Sequence, residues 1–220
     1  MAIYSTNKYL VKPTSAPRLP AAPEQYAQQY GDQLTNVLRL YFNQIDNVTG
    51  SVLDTLGGRF VSSPSGSFYD TTTQTAAANT ATVITFNSTD STVTNGISVV
   101  SNSRLTVTYP GVYNVAFSIQ GSNSASSADN MTVWFRINGV DVANTAGISA
   151  IPAKHGSING ALVFGWSQPL ALNAADYVEI YWATDGGTSS IAYYAAGVTP
   201  THPASPSVAA VLTFVSSFTS

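Results

Sequence analysis

Residues 111–121 read GVYNVAFSIQG, with Tyr113, Val115, Phe117 and Ile119 on one side of a period-two repeat. Asn114, Ala116, Ser118 and Gln120 fall on the other side. Alternation sustained over this length marks a β-strand with one face on a core and the other turned away from it. The same pattern recurs downstream. In MTVWFRINGVDV (131–142), Val133, Phe135 and Ile137 share a face, and Asn138-Gly139 supplies a tight hairpin turn. DYVEIYWA (176–183) sets Val178, Ile180 and Trp182 against Tyr177, Glu179 and Tyr181. SVAAVLTFVSSF (207–218) is apolar on both faces and reads as a buried central strand. Further strand candidates lie near 67–71, 81–87, 97–100, 104–108, 160–167 and 191–196. Roughly ten short strands separated by Gly, Pro, Asn and Ser turns predict an all-β sandwich or jelly roll over 59–220.

The N-terminal quarter obeys other rules. Residues 1–23 contain Pro13, Pro17, Pro20 and Pro23, which remove backbone donors and push their predecessors away from helix. IYSTNKYLV (3–11) is strand-like but has no neighbour to pair with, so the segment reads as an extended arm, either disordered or laid along another surface. The arm holds Lys8, Lys12 and Arg18 and no acid, a charge of +3, whereas the remainder has five basic and eleven acidic residues. An arm opposite in sign to its own body suits docking on an acidic partner, with Tyr4, Tyr9, Leu10 and Leu19 as apolar anchors beside those three cations. Residues 24–58 form a connector whose helix is expected over 24–47, ending at Thr49-Gly50 with Gly57-Gly58 as a firm stop. Tyr30, Leu34, Val37 and Tyr41, with Leu38, Ile45, Val48 and Val52 beside them, recur in alternating steps of three and four. That spacing is a coiled-coil seam, facing either sister copies or the underside of the β head.

Composition narrows the function. Charged residues make up 9% of the chain, against about 25% for an average soluble protein, and the net charge of −3 argues against a nucleic-acid binder. There is no cysteine, which excludes disulfides and thiol chemistry. No segment has the apolar length of a signal peptide or a membrane span, so the chain is expected to be made in a cytoplasm and to cross no membrane. The two histidines, His155 and His202, are 47 residues apart in loops rich in Gly and Pro. The carboxylates are scattered; Asp176 and Glu179 fall on opposite strand faces, wrong for a cooperating pair. The Asp185-Gly186-Gly187 stretch is a turn, not a phosphate loop. No catalytic centre and no cofactor are expected. Trp134, Trp166, Trp182, Tyr193 and Tyr194 could form a sugar-binding shelf; by parity Trp182 belongs to the core and Trp134, beside Arg136, to an exposed contact or interface.

Four stretches in order, PGVYNVAFSI (110–119), FRINGVDV (135–142), QPLALNAADYVEIYWA (168–183) and VLTFVSSF (211–218), resemble the complement globular-head/TNF-like family. One departure is Ala175, where that family has Gly before the Asp. The resemblance implies a ten-strand jelly roll that assembles as a homotrimer, here below an arm and one helix, with Tyr30, Leu34, Val37, Leu38, Tyr41 and Ile45 as the trimer seam. Related heads sometimes hold calcium, and Asp70, Asp129, Asp141 or Asp185 could supply oxygens, but none has calcium-loop spacing and no metal is expected. QYAQQYGDQLTNVLRLYFNQIDN (25–47) and GSFYDTTTQTAAANTATVITFN (66–87) are similar to structural proteins of tailed phages of cyanobacteria and marine bacteria. That similarity implies a virion surface protein, a trimeric capsid decoration whose arm and helix dock on the major capsid protein. The alternative is a short tail fibre, attached to a tail protein, whose head recognises a host surface glycan. Neither involves nucleic acid or membrane.

Overall fold

The computed structural model describes residues 17–21, 24–25, 28–53 and 63–218, with side chains of 50–53 left aside. The chain divides into two compact units, Met1–Ser62 and Ser63–Ser220.

In the first unit one helix, α1, spans Gln28–Leu53. It starts later than the expected 24, since Glu24 and Gln25 form a bend. It also runs through Thr49-Gly50 instead of ending there. A mid-helix glycine costs about 1 kcal/mol, which a helix without proline tolerates because each added residue brings its own backbone bond. Of the arm anchors, Tyr4, Lys8, Tyr9, Leu10 and Lys12 lie outside the described residues.

The second unit is an antiparallel two-sheet sandwich of jelly-roll type. Its strands of four residues or more are β1 (Ser65–Asp70), β2 (Ile97–Val100), β3 (Arg104–Val107), β4 (Gly111–Asn123), β5 (Asp129–Ile137), β6 (Gly147–Ile151), β7 (Gly160–Phe164), β8 (Ser167–Leu172), β9 (Tyr177–Thr184) and β10 (Val208–Ser216). They number ten, the expected count but not the expected set: 81–87 holds only Thr82–Val83 and 191–196 only the end of Ser189–Ile191, whereas Gly147–Ile151 and Ser167–Leu172 are strands that the alternation did not mark, and two- and three-residue strands lie at the rims. In the first sheet β4 is central: β10 and then β1 lie on one side, and β8 and β7 pair with its two ends on the other. The second sheet runs β6-β5-β9-β3-β2. The Asn138-Gly139 turn joins β5 to Val140–Asp141 with φ of 51° and 82° at its two residues, the double left-handed turn that matches strand twist.

Inward parity fills the space between the sheets. Tyr113, Val115, Phe117 and Ile119 of β4 meet Met131, Val133 and Phe135 of β5 and Val178, Ile180 and Trp182 of β9, all buried. At about 25 cal/mol per Å² of apolar surface, such a core is the main force holding the sheets together. β10 departs from its expected reading. Val208, Ala210 and Leu212 are buried, but Val211 is 42% and Val215 59% exposed on the opposite face. The strand is central in its sheet, yet within one chain only one of its faces is covered.

Candidate interaction surfaces

That uncovered face belongs to the whole first sheet. Among β1, β4, β7, β8 and β10 the only charged residue is Asp70, which is buried and accepts hydrogen bonds from Thr72 and Thr85. The outward positions are Ser, Thr, Asn, Gln, Ala, Pro, one Tyr and several valines, with Val163, Val211 and Val215 well exposed. Antiparallel sheets commonly turn one face outward; here that face offers hydroxyls, amides and valines and no charge.

The second sheet's outer face is the opposite. Glu179 of β9 is buried under Ser103, whose hydroxyl donates at 2.8 Å, and Arg104, whose Nε lies 3.5 Å from the carboxylate. The Arg104 guanidinium also sits 4.6 Å from the Tyr177 ring. On β5, Arg136 stacks 3.8 Å from the Tyr181 ring and pairs with Asp141, which also accepts from the Trp134 indole at 2.6 Å. Hydrogen bonds from Arg136 and then Trp134 hold the Asp141 carboxyl below its ordinary range, and the same bond raises Arg136. The expected aromatic shelf is therefore dispersed. Trp182 is fully buried, and Trp166 packs edge-on against Phe117, with ring centroids 4.5 Å apart. Trp134 keeps an outward aromatic neighbour, Tyr181, with ring centroids 5.9 Å apart, and Arg136 lies 3.8 Å from the Tyr181 ring.

Within the first unit, Tyr30, Leu34, Val37, Leu38, Tyr41, Ile45 and Val48 are half-buried, and no described side chain of α1 is buried. They form the row that the three-four spacing predicts. Leu40 and Phe42 are 53% and 56% exposed off that row, a feature the periodicity does not reveal. Arg18, Leu19, Pro20 and Ala21 line a cavity of about 380 Å³ with Gln33, Asn36 and Val37 of the helix. The two described anchors thus lie along the chain's own helix, Leu19 half exposed.

His155 and His202 are exposed in separate turns. Among the described residues no group of three or more His, Asp or Glu converges, and no helix is long and apolar enough to cross a membrane. Of the four aspartates named for oxygen donation, Asp70 and Asp141 are committed to the bonds above. Asp129 and Asp185 line one cavity together.

No protein-family model matches the chain, and none of the curated proteins does. Among solved structures the chain is similar to an Eiger TNF from S. frugiperda, with 11% identity over 72% of this chain and 96% of that one and a TM-score of 0.48. At that identity and score the likeness assigns no residue, ligand or partner here; the sandwich stands on its own strand order.

Proposed function

We propose that this chain is a structural, non-enzymatic protein of a phage virion: a homotrimeric capsid decoration whose arm and helix dock on the particle while the jelly-roll head projects. The observation that carries the assembly is the charge-free outer face of the first sheet, with valines of β7 and β10 open beside a core already complete without them. Neighbouring copies repeated around a threefold axis cover it without burying an unpaired charge, which a charged partner would not. The half-buried three-four row of α1 offers a second seam of the same kind. The basic, proline-rich arm and the similarity of 25–47 and 66–87 to phage structural proteins support the virion setting.

One feature favours the tail-fibre alternative, the outward Trp134-Arg136-Tyr181 stack, whose aromatic planes could receive a sugar. Copy number separates the two. Quantitative mass spectrometry of purified particles is expected to find hundreds of copies, as a capsid lattice requires; a dozen would sink the decoration reading and favour the tail.

A further inference from the structure

At the end of the head where β4 runs into β5 and β9 ends, Asp129, Asp185, Ser127, Thr188 and Gly186 line a cavity of about 290 Å³, with Ala125 and Ala128 beside them. Asp129 is 4% exposed. Its Oδ1 accepts the Gly186 N–H at 2.7 Å, whereas its Oδ2 is buried with no hydrogen-bond partner. Taking a carboxylate oxygen from water and leaving it bare is costly unless a positive group meets it. No lysine, arginine or histidine lines the cavity, so its own walls supply no such group. Asp185, the second carboxylate there, is exposed and accepts one bond from Asn130 at 2.8 Å, so most of its acceptor capacity stays open.

We infer that this cavity receives a primary ammonium, the end of a lysine side chain presented by a protein partner. Three kinds of cation could meet a bare carboxylate oxygen, and the geometry separates them. A guanidinium binds best as a fork across both oxygens of one carboxylate; at Asp129 the Gly186 N–H already holds one of the two. A divalent metal gathers several oxygen ligands around itself, and among the described residues no third His, Asp or Glu joins these two. An ammonium is a compact charge with three donors. Asp129 Oδ2, the Asp185 carboxylate and a hydroxyl of Ser127 or Thr188 match that number. The two alanines on the wall suit a methylene stem; the hydroxyls that flank the ammonium of an amino sugar find no partner on them. The cradle is held before any ligand arrives. Buried Asn123 donates to the Ser127 carbonyl at 2.8 Å and accepts from the Ala125 N–H and the Thr188 hydroxyl, tying both walls together. Gly186 leaves the approach open, since a Cβ there would stand 3.2 Å from Asp129 Oδ1 and 3.4 Å from Oδ2. The site has the same chemistry whether the head sits on a capsid or on a tail.

The test is an NMR titration of the nitrogen-15-labelled full chain at about 0.15 M salt, where long-range attraction to an acidic surface is screened. Nα-acetyl-lysine methylamide should shift the Asp129 and Gly186 amides with a Kd on the order of 1 mM, as a pair of charge-assisted hydrogen bonds allows. The norleucine analogue, with the same stem and no charge, should leave them unmoved, and the arginine analogue should bind at least about threefold more weakly. Asp129→Asn should abolish the shift. Asp185→Asn, at an exposed position, should weaken binding about two- to fivefold with Tm unchanged. No shift with the lysine compound, an equal shift with norleucine, or an Asp185→Asn variant that binds as the parent does would each overturn the assignment. So would tighter binding of the arginine compound, of glucosamine or of CaCl2 at the same amides.

Discussion

Ala175 has φ of 69°, in the left-handed region that a Cβ disfavours, at an exposed position just before β9. It is also where the resembling family carries Gly. Ala175→Gly relieves the strain but frees the unfolded chain, so the net gain should be about 0.5–1 kcal/mol, read as a higher Tm or denaturant midpoint. Next to it, Asp176 accepts from Asn138 Nδ2 at 2.7 Å and from Asn173 N–H at 2.7 Å. These bonds, Asn138 foremost, hold its carboxyl below the ordinary aspartate value. A depressed folded-state pKa means the contribution is fully present above about pH 4, where the unfolded aspartate is ionised, and is lost as pH falls through the lower folded value. Asp176→Asn should therefore lower Tm at pH 7, with the gap to the parent closing in acid; a gap constant from pH 7 to 2 would remove Asp176 from the acid response. Asn138-Gly139 was legible as a turn from two adjacent letters. Its bond to Asp176, 38 residues away, was not, because it exists only once β5 and β9 pair.

At the scale of the element, α1 shows what periodicity can and cannot reveal. The row from Tyr30 to Val48 was legible because helix faces are local, each position set by neighbours three and four away. Its ends were not, since Gly50 is tolerated and the first turn begins after a bend. Leu34→Asp combined with Leu38→Asp places charge on the row at sites that are only half-buried in one chain. Light scattering should then show a smaller assembly while the head's Tm stays within a degree or so, because none of the head's core cluster lies in α1. An unchanged assembly would remove the helix from the seam.

For the whole molecule, the decisive contrast is between two sheets of one sandwich. The second carries charge there, Arg136 and Arg104 with the buried Glu179 beneath it; the first carries none on its outer face. Val211→Lys on β10 should dissociate the assembly with little loss of head stability, since the side chain is 42% exposed in the single chain and a charge there costs only when a partner covers it. An intact oligomer in that variant would place the interface elsewhere. The strand parities, the core set of β4, β5 and β9, the hairpin turn and the helical row were determined by the sequence alone, because each is a short-period pattern that backbone geometry repeats locally. Only the tertiary structure decided that β10 leaves one apolar face open, that Glu179 lies under Ser103 and Arg104, and that Asp129 keeps one bare oxygen beside Asp185. Each of those depends on which distant strands become neighbours, and burial of a polar atom is a property of that assembled surrounding, not of the residue that bears it.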